Sequence, residues 1–233
     1  MGTRVTYERD GSVATIAMDD GKVNVLSPEM FGELNAALDR AERDGAVVVL
    51  TGRDGVFSAG FDLAVLNAGG PDSATMVLTG FELAHRVLSF PMPVVVACSG
   101  HAIAMGVFLL LSGDYRLGVA GATHKITANE VAIGLTVPRA AIEVCRQRLT
   151  PAAFNRAVVL AEPFAPDPAV ESGFLDAVVP AADLVSTAQA TASMLAELDL
   201  RAHTATKLRA RQGALAAVRA AIDADREEFL AAV

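Results

Sequence analysis

Apolar residues recur along this chain at two different periods. Residues 5–7 and 13–18 are short β-prone segments flanking an Asp10-Gly11 pair, which predicts two strands joined by a tight turn. Residues 46–51 and 94–98 are instead continuous runs rich in valine, the pattern of strands buried on both faces. Between them the period lengthens. Ser27 precedes Pro28 as a cap precedes a first helical residue, and Met30, Leu34, Ala37, Leu38 and Ala41 then fall on one helical stripe. Residues 73–90 are predicted helical, residues 104–111 are apolar on every side and predict a buried helix, and residues 115–119 predict another strand. From Pro138 onward the pattern is mainly helical. It ends in an alanine-rich stretch, 187–233, whose Leu208, Leu215, Val218 and Ile222 suit packing on the body or on a neighbouring subunit.

Buried strand, glycine-bearing loop and helix thus alternate through the middle of the chain, which predicts an α/β fold. The 233 residues, 52% of them hydrophobic, suffice for one large core. The formal net charge of −8 argues against nucleic-acid binding and against a membrane-surface role. The first residues lack the apolar core of a leader, and the longest apolar run, 102–112, is too short to span a bilayer, so a soluble cytoplasmic protein is expected. Cys98 and Cys145 fit neither a disulfide framework nor a zinc site and read as buried thiols. His85, His124 and His203 show no metal-ligand spacing, so no metal is expected, and His101 reads as a hydrogen-bonded structural residue.

Chemistry is concentrated where two of the buried strands end. In each place a small residue or glycine turns the chain into a helix, leaving backbone N–H groups without intrahelical partners. Two such donors aimed at one point would form an oxyanion hole. The wording is specific. Residues 48–52 with 56–63 (Val56 to Leu63, through Ser58-Ala59-Gly60-Phe61-Asp62) resemble the first signature of the crotonase, or enoyl-CoA hydratase/isomerase, family. Residues 93–106, running on to Gly113-Asp114, resemble its second signature, and residues 127–135 its third. Residues 150–154 and Gly173-Phe174-Leu175-Asp176 match later elements in the same order.

The resemblance implies a crotonase-like spiral of ββα units over residues 1–180, and a helical C-terminal region, 181–233, that builds a homotrimer or hexamer. It implies that an acyl-CoA thioester is the substrate, with no resident cofactor, since CoA arrives as part of the substrate. By position the oxyanion donors would be the N–H groups of Ala59 and Met105, with Gly60 and Gly106 allowing close approach, and Glu130 would be the general base. The CoA moiety would be met by Lys22, Val23 and Val25 and by Phe61, Asp62 and Leu63. Asp62 is equally suited to a local Asx-turn, and the basic residues Lys207, Arg209 and Arg211 to phosphates or to a solvated helix face.

Two departures from the family pattern matter. Phe108 stands where family hydratases carry a second glutamate, and it cannot hold a water. A single base beside an oxyanion hole suits moving a proton between two carbons, the 3-enoyl to 2-enoyl shift of the family's isomerases, whose Asn-Glu wording Asn129-Glu130 resembles. Pro138-Arg139-Ala140-Ala141 replaces a glycine-rich segment; Arg139 is expected to face solvent, the alternative being a pair with Glu130. Hydration of 2-enoyl-CoA, and non-catalytic acyl-CoA binding by a trimeric scaffold, are the competing readings.

Overall fold

A computed structural model describes residues 2–231. In chain order the elements are β1 (Val5–Asp10), β2 (Val13–Met18), β3 (Val25–Leu26), α1 (Pro28–Asp44), β4 (Val47–Thr51), β5 (Gly55–Ser58), β6 (Gly60–Phe61), α2 (Leu63–Ala68), α3 (Gly70–Ser89), β7 (Val94–Ala97), β8 (Gly100–Ile103), α4 (Met105–Ser112), β9 (Tyr115–Val119) and β10 (Ile126–Thr127). They continue with α5 (Arg139–Arg146), α6 (Pro151–Phe154), α7 (Pro166–Ser172), β11 (Ala177–Val179), α8 (Leu184–Ala196), α9 (Leu200–Ala210) and α10 (Gln212–Ala231).

Six strands form the main sheet in the order β1-β2-β4-β7-β9-β11, and only the β1–β2 pair is antiparallel. Because side chains alternate across a strand, the valine runs divide between two faces. Val48, Leu50, Val94 and Val96 enter the large core that also holds α1, α3 and α4. Val47, Val49, Val95 and Ala97 enter a second cluster closed by Leu184, Ala188 and Ala192 of α8. Helix α8 is therefore part of the sheet's packing, and α10 packs on α3 and α5. The expected α1 is present, with Ser27 as its cap and Gly45 ending it in a left-handed conformation.

A smaller parallel sheet, β10-β8-β5, was not foreseen. With it the chain repeats one unit three times: a main-sheet strand, a small-sheet strand, then a helical segment (β4-β5-α2, β7-β8-α4, and β9-β10 leading to α5). This is the ββα repetition that the resemblance implied. Gly100 faces Gly55 across β8 and β5, and a Cβ on Gly100 would lie 1.8 Å from the Gly55 carbonyl carbon. Only glycine permits that approach.

Two carboxylates fasten the body. Asp176 receives the Nε and Nη2 groups of Arg116 at 2.9 and 2.8 Å, and Nη1 donates to the Gly173 carbonyl at 2.6 Å. Asp114 receives Lys207 Nζ at 2.7 Å and Arg211 Nη2 at 2.9 Å. Lys207 and Arg211 thus turn inward to Asp114, which corrects both the phosphate and the solvated-face readings for these two, while Arg209 is exposed. The Arg116 side chain is 3% exposed. Asp176 is itself 29% exposed, so the pair is buried on the arginine side alone; removing the acid strands a buried guanidinium, which costs about 1–3 kcal/mol, less than the loss from a fully buried pair. Asp176→Asn is expected to lower unfolding stability by about 1–3 kcal/mol, read from the urea midpoint; a loss under about 1 kcal/mol, the range of an exposed ion pair, would show the pair to be screened by solvent.

Candidate active site

A cavity of about 420 Å³ is lined by Ala59, Phe61, Leu63, Leu66, Gly70, Ser73, Ala74, Val77 and Phe81 on one side, and by Ala104, Asn129, Glu130, Ile133, Leu135, Thr136, Pro138 and Phe229 on the other. Glu130 is the one ionisable side chain among these residues. It follows β10 by three residues and opens a short 3-10 turn, whose tightness comes from the Ile133 and Leu135 N–H groups both donating to the Glu130 carbonyl. The residue is 6% exposed, and its Oε2 has no hydrogen-bond partner among the described residues. Burial disfavours the charged form and pushes the carboxyl up to about 7, a hydrogen bond from its own backbone N–H opposing the shift. Cys145 of α5 lies near enough for the Glu130 charge to add to the effect of burial in raising its thiol. Thr127 Oγ1 and Asn129 Oδ1 are likewise buried and unpartnered.

The Met105 N–H is a free donor. It begins α4, and neither it nor the Gly106 N–H has a partner among the described residues. Ala104, just before it, lines the cavity in an unusual conformation, φ 50 and ψ −123. Such a backbone costs an alanine about 1–3 kcal/mol and is held only by its surroundings. Here the Ala104 N–H donates to the Thr127 carbonyl at 2.9 Å, and its carbonyl receives Val107 and Phe108. The strand β8 is thereby turned abruptly into α4.

The Ala59 N–H is not free. It donates to the Val23 carbonyl at 2.9 Å, which corrects the expectation that Ala59 is an oxyanion donor. The small residue lines the cavity instead. Gly60 directs its N–H back to Ser58 Oγ at 3.1 Å, and that hydroxyl donates to the Asn24 carbonyl at 2.7 Å. A Cβ on Gly60 would lie 2.8 Å from the Ile103 carbonyl oxygen and 3.3 Å from the Met105 nitrogen, so the two loops touch through backbone.

Other expected residues divide between those brought to the cavity and those kept from it. Val23 and Val25 join the site region through the Ala59 hydrogen bond and the β3–β6 pairing, and Lys22 is exposed in the same loop. Asp62 caps α2, its Oδ1 receiving the Ala64 N–H at 2.8 Å, which is the local-turn alternative. Leu63 lines the cavity and is 57% exposed. Phe108, which the resemblance placed among the substrate-binding residues, is fully buried and does not line the cavity: it lies behind Phe81, ring centroids 5.8 Å apart, and Phe81 supplies the apolar wall there. Arg139 donates to Asp225 and Glu228 and does not pair with Glu130. His101 accepts the Lys125 N–H on Nδ1 at 2.9 Å, as a structural histidine does.

Two residues were missed. Asn24, fully buried at φ 52, donates through Nδ2 to the Met18 and Phe57 carbonyls at 3.0 and 3.2 Å. Asp20 receives the N–H groups of Lys22, Asn24 and Val25, which holds its carboxyl below the usual range despite partial burial. Together they shape the loop that carries Val23. The signal available was the polar cluster Asp19-Asp20-Gly21 ahead of Asn24, a turn composition. Among the described residues no helix is long and apolar enough to cross a membrane, and no three His, Cys, Asp or Glu side chains could hold a metal ion together.

The enoyl-CoA hydratase/isomerase family profile matches residues 8–231. The fold superposes on an enoyl-CoA hydratase from Mycobacterium marinum with a TM-score of 0.94 at 49% identity, over 97% of this chain and 100% of that one. The human mitochondrial enoyl-CoA delta isomerase 1 is 29% identical over 97% of this chain and 77% of its own length. A Thermus thermophilus relative named for hydratase activity is 38% identical over 143 residues, a match spanning 58% of this chain and 56% of that protein. A profile match across nearly the whole chain, on a fold shared with a structure of almost half identical sequence, makes this protein a member of the enoyl-CoA hydratase/isomerase family, with the crotonase fold.

Proposed function

We propose that this chain is an enoyl-CoA isomerase, in which Glu130 moves a proton from C2 to C4 of a 3-enoyl-CoA to give the 2-enoyl-CoA. The observation that carries the reading is a buried carboxyl, unpartnered at Oε2, that is the only ionisable side chain among the described residues lining an apolar cavity, with the free Met105 N–H next to the cavity-lining Ala104. Ionised Glu130 takes a C2 proton, the electrons pass to the thioester oxygen, and the same carboxyl returns the proton at C4 as the double bond moves into conjugation. No atom is gained or lost. A carboxyl near pH 7 is matched to both halves of this exchange.

The growing negative charge on the thioester oxygen needs donors fixed in place. Met105 N–H is one. For the second we assign Phe61. Consecutive N–H groups along a strand point to opposite sides; Gly60 turns its own back towards Ser58 and the β3 side, so that of Phe61 faces away from β3, where Ala104 and Met105 lie. A protein of Mycobacterium tuberculosis, 49% identical with a TM-score of 0.93 over 97% of this chain and 99% of that one, is named an enoyl-CoA isomerase in one solved structure and a probable hydratase in another, which supports a reaction of this family. Family membership supports acyl-CoA as the substrate. Exposed apolar side chains outside the cavity, among them Met194, Leu198 and Leu160, support self-association as a trimer or hexamer.

Hydration of 2-enoyl-CoA is the second reading, favoured by the unpartnered Thr127 and Asn129 oxygens near Glu130, which suit an ordered water. Steady hydration of crotonyl-CoA at rates above the isomerase rate would replace the first reading with this one.

Glu130→Gln is expected to lower kcat/KM for 3-hexenoyl-CoA roughly 10²–10⁴-fold, followed as formation of the conjugated thioester; a rate within a factor of two of the parent would remove Glu130 from the mechanism. The parent's kcat/KM should rise with pH through about 7, as Glu130 ionises, and the variant should lack that limb. Stability should move the other way. Burial pushes the folded carboxyl up to about 7 from its ordinary 4.5, so the neutral form is favoured in the native state. Its contribution is complete below the unfolded value and is lost as pH rises through about 7, a loss on the order of 3 kcal/mol. Glu130→Gln should therefore raise the melting temperature at pH 8 and change it little near pH 4; equal effects at both would contradict the shift.

A further inference from the structure

Among the described residues, the C-terminal helix reaches the cavity through the side chain of Phe229. Helix α10 packs on α3 and α5, and α3 supplies Ser73, Ala74, Val77 and Phe81 to the cavity, while Thr136 and Pro138 lead into α5. Phe229 is partly buried and packs against the main core.

What holds it there is an arrangement of charges on two sides. Helix α5 has no capping side chain of its own, since Pro138 occupies the capping position. Asp225 of α10, 2% exposed, takes that role from a distance: it accepts the Arg139 N–H at 3.1 Å, the Ala140 N–H at 2.9 Å and the Arg139 guanidinium at 3.3 Å. A carboxylate at a helix N-terminus also meets the favourable end of the helix dipole. The same guanidinium pairs with Glu228. On the α3 side, Glu82 receives Arg219 through two hydrogen bonds of 2.7 Å and Arg226 at 3.0 Å. Phe229 lies one helical turn beyond Asp225 and on the same face, so fixing Asp225 fixes the ring.

We infer that Phe229 forms the end wall of the acyl pocket and sets the length of acyl chain accepted, with Asp225 as its positioning residue through the N-terminus of α5. This rests on the acyl-CoA reading and goes beyond it. An acyl chain with its reacting carbons at Glu130 must continue along the apolar lining, to which α10 contributes Phe229 among the described residues. The Arg139-Ala140 segment, which lacks the glycines usual in the family, supplies the two N–H groups and the guanidinium that Asp225 binds.

The chain contains no tryptophan, so Phe229→Trp places a sole indole emitter at the wall. Its emission is expected to shift to the blue on saturation with octanoyl-CoA and not with free CoA, and Asp225→Asn in the same protein should at least halve that shift. Calorimetric titration with butyryl-, octanoyl- and dodecanoyl-CoA reads the wall independently of turnover. Phe229→Ala is expected to move the preference for dodecanoyl- over butyryl-CoA upward by roughly tenfold, the scale on which an apolar pocket discriminates by length. Acyl-CoA binding with a length preference within twofold of the parent in Phe229→Ala, or an indole emission that ignores octanoyl-CoA when calorimetry shows it bound, would overturn this inference alone. Failure of the parent to bind any acyl-CoA would overturn it together with the proposed function.

Discussion

The site depends on two backbones coming closer than side chains allow. Gly100 against Gly55 joins β8 to β5, and Gly60 against residues 103–105 brings β6 onto the turn that starts α4. The contact at Gly100 leaves no room for a methyl group. It sets the register of the small sheet, and through that register the Ala104 turn, with Met105 next to it in the chain, is brought to the cavity that Ala59, Phe61 and Leu63 also line. The strain accepted at Ala104 follows from the same constraint: β8 must leave the sheet and become a helix within one residue, and the Thr127 carbonyl of β10 holds that residue in place. The third strand of the small sheet then carries the chain on to Glu130. Three consecutive ββα units contribute one part each.

Burying a carboxyl without a partner is ordinarily destabilising, and most of this protein's acids avoid it. Asp114, Asp176 and Asp225 each receive cations and backbone N–H groups. Glu130 is placed the other way, with an oxygen facing apolar side chains and Cys145 behind it. The contrast sets Glu130 apart from the acids that hold the fold. A cation near Glu130 would have kept it ionised and weak as a base; Arg139, the first basic residue after it in the chain, is drawn off by Asp225 and Glu228 on α10. The C-terminal helix thus helps leave the carboxyl unneutralised although it contributes no acid or base to the cavity.

Much of the main sheet was legible because its signals are local. Valine runs marked β4 and β7, Ser27-Pro28 marked the start of α1, and an apolar run without polar interruption marked α4. The small sheet was not legible. Its strand β10 has two residues and β8 begins at a glycine, so neither is long enough to show alternation. Helix α2, opened by Asp62, has no buried residue and therefore no stripe. At the site, the sequence order pointed to the loops and to Glu130, but the partner of a given N–H depends on pairing between distant segments. The Ala59 amide meets Val23, and that follows from where the Asn24 loop lies. Lys207 and Arg211 read as a basic face because Asp114 is remote in sequence. Phe108 was placed on the correct helix but in the wrong layer, since the earlier Phe81 stands between it and the cavity.

That layer bears on which reaction the cavity can support. Four aromatic rings run in sequence from Phe31 through Phe61 and Phe81 to Phe108, with centroid spacings of 6.2, 6.3 and 5.8 Å. Phe61 and Phe81 face the cavity and the other two back them. An acid introduced at position 108 would meet Phe81 before it met a substrate, so the absence of a second glutamate there is matched by a wall that would have screened one. The polar atoms left near Glu130 belong to Thr127 and Asn129, on its own segment, and neither can act as a second carboxylate. A water held there would have Glu130 as its sole base. Proton return to the substrate needs only that one group, and the residues lining the aromatic side of the cavity include no acid or base to compete with it.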